Sequence, residues 1–270
     1  MLKNTPFPDI PAGLTAVVTG AGSGVGAAVA QQLGLHGLQV ALVGRRADRL
    51  AQVQRAILQA GGVVHSFPCD VTNISQVNRL VDDVKARFGG AQVLFNSAGI
   101  HTELVPIAES TPELWIKTLQ VNVVGTYLTC RAFMGGMLQR AWGRIINVTS
   151  ASSLAPPGGV ASVYQLSKVT VNHFTRQLAA ELEGSGVTAN VLHPGEVKTE
   201  MWAAIKADAS TRSGPGRSAL HWTGWVEETG GDAPEKSAEV VLKLLSPEGA
   251  AINGQFLWVR DSLQKPLPSW

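Results

Sequence analysis

Short, almost wholly apolar runs alternate along this chain with longer segments whose apolar residues recur every three or four positions. Runs that are apolar on both faces suit strands of a parallel sheet covered on both sides, and the periodic segments suit the helices that cross between them. Leu14 to Thr19, Gln39 to Val43, Val63 to Phe67, Val93 to Phe95, Arg144 to Val148, Val187 to Leu192 and Gln255 to Val259 read as seven strands. Ile74, Val77, Val81, Val84 and Phe88 mark one buried helix face. Longer helices are predicted from Pro112 to about Leu138 and from Ala161 to Glu183, the second stopped by Gly184. The pattern predicts an α/β fold, a doubly wound parallel sheet with helices on both faces, in a single domain over residues 1–270. From Met201 to Gly231 it gives way to Gly, Ser and Thr with Trp202, Trp222 and Trp225. A connection of that length reads as a lid over about residues 200–231. Its tryptophans either line an apolar pocket or anchor the lid.

Composition narrows the class. The chain has 270 residues, 45% hydrophobic and 16% charged, which is ample for one buried core. Its 22 basic and 20 acidic residues are scattered without long runs, so neither a nucleic-acid footprint nor a polybasic membrane patch is expected. Cys69 and Cys130 fit a reducing compartment and read as small core residues, not metal ligands. No apolar stretch reaches the ~18 residues of a membrane span, and the first residues do not resemble a signal peptide. A cytoplasmic protein without nucleic-acid or membrane partners is the expectation.

The candidate chemistry starts where the first strand runs into Thr19-Gly20-Ala21-Gly22-Ser23-Gly24-Val25-Gly26, followed by helix-forming residues. Glycines there permit positive backbone angles and let a pyrophosphate approach the free N–H groups of a helix N-terminus. Farther on, Tyr164 and Lys168 stand four positions apart in Tyr164-Gln165-Leu166-Ser167-Lys168, on one face of a helix. A free phenol has a pKa of about 10, and a fixed ammonium beside it is expected to bring it closer to neutrality. Taken alone, such a pair is more readily an accident of a solvated helix surface.

The spacing of Gly20, Gly24 and Gly26 is similar to the TGxxxGxG motif of the short-chain dehydrogenase/reductase family. Other segments match that family in order: Asp70-Val71 after the third strand, Asn96-Ser97-Ala98-Gly99 after the fourth, with Ser in place of the usual second Asn, and Asn122 in the long fifth helix. Asn147-Val148-Thr149-Ser150 closes the fifth strand, Tyr164 to Lys168 opens the next helix, and Pro194-Gly195-Glu196-Val197-Lys198-Thr199 follows the sixth strand. The resemblance covers most of the chain and fades after about residue 200.

The resemblance implies a Rossmann-like fold and a nicotinamide dinucleotide held by Gly20, Ser23, Gly24, Val25, Gly26, Asp70, Val71, Asn96, Ala98, Gly99, Tyr164, Lys168, Pro194, Gly195, Val197 and Thr199. It implies that Tyr164 exchanges a proton with a carbonyl or alcohol oxygen, that Lys168 lowers the phenol's pKa and binds the nicotinamide ribose, that Ser150 polarises the carbonyl, and that Asn122 holds a relay water. Ser150 lies one residue farther from the tyrosine than is usual in the family; Ser152 and Ser153 are its competitors, and the Pro156-Pro157-Gly158-Gly159 loop could absorb the extra residue. The second strand ends at Gly44, where NAD-preferring relatives carry Asp, and is followed by Arg45 and Arg46, which suit a 2′-phosphate. NADP(H) is therefore the expected cofactor, with NAD(H) as the alternative; as plain loop charges the two arginines would carry no preference. His101 and His193 are read as loop or packing residues, not as bases.

The expected activity is that of a carbonyl reductase or alcohol dehydrogenase on a small ketone, aldehyde or secondary alcohol, in a homotetramer or homodimer. The tail Leu267-Pro268-Ser269-Trp270 is a candidate subunit contact. The alternative is a non-catalytic dinucleotide sensor or assembly protein of the same fold, which would have no chemical need of Ser150, Tyr164 and Lys168. Nucleotide-sugar epimerases carry a larger C-terminal part than the residues after Thr199 provide.

Overall fold

The structure, a computed structural model, describes residues 10–155 and 160–260. The Pro156 to Gly159 loop and the tail from Leu267 to Trp270 lie outside the described residues. One sheet holds β1 (Thr15–Thr19), β2 (Gln39–Gly44), β3 (Val63–Pro68), β4 (Val93–Asn96), β5 (Gly143–Val148), β6 (Val187–His193) and β7 (Phe256–Trp258). All pairs are parallel, in the order β3-β2-β1-β4-β5-β6-β7. The chain winds outward from β1 to β3, then returns to the other side of β1 with β4. That reversal opens a crevice at the carboxyl ends of β1 and β4, where open α/β sheets bind ligands.

Strand periodicity sorts the side chains between two cores. Ala16, Val18, Phe95, Ile146 and Leu192 face α1 (Gly24–Leu35), α2 (Ala47–Gln59) and, toward the C-terminus, the helix at Glu235–Leu245. Val17, Leu94, Ile145 and Ala189 face α3 (Ile74–Phe88) and the helices at Gly125–Gln139 and Ser162–Glu181. On α3 the buried stripe is Val77, Leu80 and Val84; Ile74, expected on that face, begins the helix in solvent at 51% exposure. Arg144 is buried at 3% exposure without a carboxylate: Nε donates to Leu244 O (2.9 Å) and Nη1 to Gly143 O (2.8 Å). It thereby satisfies a carbonyl at the end of a helix, where a cation also suits the dipole.

The helix expected from Pro112 to about Leu138 is α4 (Pro112–Leu119) and α5 (Gly125–Gln139), joined by one wide π-helical turn at Gln120–Val124 that carries Asn122. The next helix, α6, runs Ser162–Glu181, and Gly184 (φ +75°) lies in the turn beyond it. The predicted excursion is itself helical: α7 (Glu200–Thr211) and α8 (Ser218–Thr229) precede α9 (Glu235–Leu245). Ile205, Ala209, Ala219 and Leu220 pack against Leu104 and Val160, which holds the α7–α8 pair over the crevice. The apolar residues responsible are too few in each helix for a helical period to show in the sequence. Among the described residues no helix is long and apolar enough to cross a membrane, and no group of three or more His, Cys, Asp or Glu could hold a metal.

Candidate functional site

The crevice encloses about 830 Å³, floored by the glycine loop and roofed by α7. Gly20 and Gly24 have φ of +66° and +54°, so each is in the left-handed region that suits glycine. A Cβ on Gly20 would stand 2.8 Å from Ala98 N and one on Gly26 would stand 2.5 Å from Gly20 O. Gly26 is buried away from the crevice and lets α1 close on the turn, whereas Gly22, Ser23, Gly24 and Val25 line it. The Ser23 hydroxyl makes no cap to α1, and the first turn has no acidic side chain. The helix start is left free to face an anion.

At the outer end, Gly44, Arg45, Arg46, Asp70 and Val71 line the crevice as expected. Arg46 is already engaged: Nη2 donates to Ser23 Oγ (2.8 Å) and Nη1 to Glu200 Oε2 (2.9 Å), with Arg49 on the same carboxylate at 3.2 Å. Burial would raise the Asp70 carboxyl, but Thr72 donates to it from both its N–H and its hydroxyl and Arg45 adds positive charge, so it is held below its ordinary value. Asn96 does not reach the crevice. It is buried beneath it, donating to Asn147 Oδ1 (2.9 Å) and accepting from Thr129 Oγ1 (2.9 Å), where it ties β4 to β5 and α5. Ala98, Gly99, Pro194, Gly195, Val197 and Thr199 do line it.

The inner end gathers Ser150, Tyr164 and Lys168. Lys168 is 5% exposed, and its Nζ donates to Val148 O at 2.9 Å and stands 5.7 Å from the centre of the Tyr164 ring. Burial lowers its pKa to about 8. The partly buried phenol is pushed the other way, to about 12, because burial disfavours phenolate and the Glu196 carboxylate adds to the rise, against a lowering hydrogen bond with Ser150. The chain alone therefore does not bring the phenol toward neutrality, as the Tyr164/Lys168 spacing suggested. Burial outweighs an ammonium that faces the ring without hydrogen-bonding the hydroxyl.

The three serines separate cleanly. Ser153 is buried, donating to Ser150 O (2.6 Å) and accepting from Asn172 Nδ2 (2.8 Å), so it faces the core. Ser152 Oγ donates to Ser150 Oγ (2.9 Å). Ser150 is the one close enough to the phenol to draw its pKa down. Asn122, 1% exposed, accepts from Ile100 N (2.8 Å) and donates to Ile100 O (2.9 Å) and Ser167 Oγ (3.0 Å). Its amide is committed to holding the loop after β4 against α6, one layer behind the crevice.

Other residues line the crevice as well, His101 and His193 among them, which the sequence does not mark as site residues. His101 has its ring 5.1 Å from that of Tyr164, and burial takes its pKa down to about 4, so it is neutral near pH 7. Glu196 accepts from Trp222 Nε1 at 2.6 Å and lies 3.6 Å from His193 Nε2, while His193 packs edge-on against Trp258. Trp202 and Trp222 line the crevice; Trp225 does not. The acidic residue inside the Pro194-Gly195 turn was the one available signal for Glu196.

Residues 14–210 match the family model described as short chain dehydrogenase. The chain is 34% identical over 257 residues to a protein of Streptomyces coelicolor named as a ketoacyl reductase, covering 92% of this chain and 96% of the relative. It is 34% identical over 248 residues to D-threitol dehydrogenase of Mycolicibacterium smegmatis, covering 90% and 89%. A crystal structure of a variant actinorhodin polyketide ketoreductase with NADPH superimposes with a TM-score of 0.83 at 32% identity, over 91% of this chain and 95% of that one. Ordered motifs, sheet topology and a family match over most of its length make this chain a member of the short-chain dehydrogenase/reductase family.

Proposed function

We propose that the protein interconverts a carbonyl compound and its alcohol with NADP(H) in preference to NAD(H). The observation that carries this reading is the convergence of Ser150, Tyr164 and Lys168 at the inner end of a crevice whose floor is a glycine-lined helix start. When bound, the dinucleotide supplies the hydride, and its oxidised ring a positive charge that favours the phenolate the chain alone disfavours. Ser150 donates toward the substrate oxygen and stabilises charge gathering there. Tyr164 gives its proton to that oxygen in reduction and takes one in oxidation. Lys168, poised between charge states by burial, supports the phenol and offers its ammonium to the nicotinamide ribose. Asn122 keeps Ser167 and Ile100 in register behind them; any relay water would use acceptor capacity its amide has left, or its backbone. Val197 and Thr199 flank the nicotinamide side, and the α7–α8 pair is the lid.

Cofactor preference rests on Arg45 and on Gly44, which leaves no carboxylate at the tip of β2 to repel a 2′-phosphate. A homotetramer or homodimer is supported by Ile116, Val124, Tyr127 and Leu166, apolar residues 42–52% exposed on α4, the turn after it, α5 and α6. Two free buried cysteines suit a cytoplasmic setting. The test is cofactor oxidation with a panel of ketones and aldehydes. Turnover with NADPH, its loss in Tyr164→Phe with NADPH binding retained, and an Arg45→Ala penalty in KM that falls on NADPH more than on NADH are the expected results. Retained turnover in Tyr164→Phe rejects the mechanism.

A further inference from the structure

Glu196 is an anion that the proposed chemistry does not use, and it sits where substrate must enter. Its side chain is 21% exposed at the crevice, close enough to Tyr164 for its charge to act on the phenol. A carboxylate has about four acceptor sites. Trp222 Nε1 fills one at 2.6 Å. His193 faces another at 3.6 Å, and the tautomer of His193 follows from its other nitrogen: Ala151 N–H donates to Nδ1 at 3.2 Å, so Nδ1 carries a lone pair and Nε2 the proton. Trp222 is thus a neutral donor to Glu196, and His193 lies beside the carboxylate at a distance longer than a normal hydrogen bond. The nearest cation, Arg260, is bound side-on to Asp232 (Nε at 3.1 Å, Nη2 at 2.8 Å) and reaches Glu196 only through its field. Burial would raise the Glu196 carboxyl, but these donors and Arg260 hold it below its ordinary value, so it stays ionised.

Asp70 and Glu200 line the outer end of the crevice, and the other carboxylate toward the substrate end is different. Asp208 is paired with Arg212 at 2.9 Å and accepts from Leu104 N, which leaves its charge compensated. His101, the remaining polar ring beside Tyr164, is uncharged near pH 7. Among the described residues, Glu196 is thus the carboxylate at the substrate end with no Lys or Arg within ion-pair distance and with lone pairs left open, held in place from the Pro194 turn below and from α8 above. Its backbone is fixed too, Glu196 N–H donating to Asp232 Oδ2 at 3.0 Å and Asp232 N–H to Glu196 O at 2.9 Å.

We propose that Glu196 is a specificity-determining residue that accepts a hydrogen bond from a hydroxyl next to the reacting carbon, so that the substrates are uncharged α-hydroxyketones and the vicinal diols they interconvert with, and anionic keto acids are rejected. This rests on the carbonyl-reductase reading and names the substrate class of that site. A site built to bond a hydroxyl penalises the analogue that lacks it by leaving its own group unpaired, and an ionised carboxylate repels a second one.

The test uses three ketones that differ at one group: 1-hydroxy-2-butanone, 3-pentanone and 2-oxobutanoate. Wild type is expected to prefer the hydroxyketone over 3-pentanone by roughly tenfold or more in kcat/KM, with 2-oxobutanoate poorest. Glu196→Gln should reduce the gap between 2-oxobutanoate and the others, because it removes the charge. Glu196→Asp keeps the charge but withdraws the oxygens, and should lose the hydroxyketone preference while still rejecting 2-oxobutanoate. NADPH titration of each variant checks that it is folded. Wild-type turnover without hydroxyketone preference, or the same ratios in all three proteins, overturns the role of Glu196 and leaves the carbonyl-reductase reading standing. No cofactor oxidation with any of the three ketones, or with the wider panel, overturns both.

Discussion

At Tyr164 two influences oppose each other, and their balance decides what the chain can do before a cofactor binds. Burial and the Glu196 charge push the phenol to about 12, while Ser150 pulls it down. Ser150 is thus coupled to the Tyr164 phenol, whereas Ser153 is bonded into the core. Ser150→Ala is expected to lower kcat by about 10²–10³-fold with NADPH affinity little changed, the size typical of removing one donor to a developing oxyanion. Ser153→Ala should keep turnover within a few-fold and instead lower the Tm, since Asn172 loses an acceptor. Steady-state kinetics beside thermal melts of the two variants checks this, and the reverse assignment would give the opposite pair of results.

Among the elements, the connection from β6 through α7 and α8 to α9 depends on one buried carboxylate. Asp232, 3% exposed on its side chain, accepts from Arg260 beyond β7, from Lys236 on α9 and from the N–H of Glu196 in the turn after β6. Gly195 is needed beside it, because a Cβ there would stand 2.5 Å from Asp232 Oδ2. Burial opposes the charge of Asp232, but these donors overcome it and hold the carboxyl well below its ordinary value. A depressed carboxyl stabilises the fold above its unfolded pKa of about 3.9, and that contribution is lost as pH falls below it toward the folded value. Asp232→Asn should therefore lower the Tm on the order of 5–10 °C at pH 7. The gap to wild type should narrow as pH falls below about 4. A Tm difference independent of pH would remove Asp232 from this role.

For the whole molecule, the exposed apolar residues on α4, α5 and α6 bear on assembly. Tyr127 is 46% exposed and packs edge-on to Phe174 of α6, so it joins two helices into one face beside Val124 and Leu166. If subunits associate there, Tyr127→Arg should shift the protein to a smaller species in sedimentation or light scattering at micromolar concentration, because a buried unpaired guanidinium is costly at an interface. An unchanged mass would place the contact elsewhere.

Most strands were legible because they are short apolar runs buried on both faces, with only the edge strand β3 buried at alternate positions, and the positions of Gly20 and Gly24 because left-handed backbone suits glycine. Tyr164 and Lys168 were legible as a helical pair, since a four-residue spacing fixes a shared face wherever the helix lies. Asn96 and Gly26 show the limit: a motif marks a residue as part of the construction without saying whether it touches the ligand or supports what does. The helices α7 and α8 were not visible as helices, because few of their residues are buried and the buried ones mix Ala and Thr with isolated larger apolar side chains such as Ile205, Leu220 and Val226. Linear order determined which residues could do chemistry. Only the tertiary structure decided that burial raises the phenol, that Ser150 and not Ser153 faces it, and that Glu196 keeps an open carboxylate beside it, since each depends on desolvation and on partners far away in the chain.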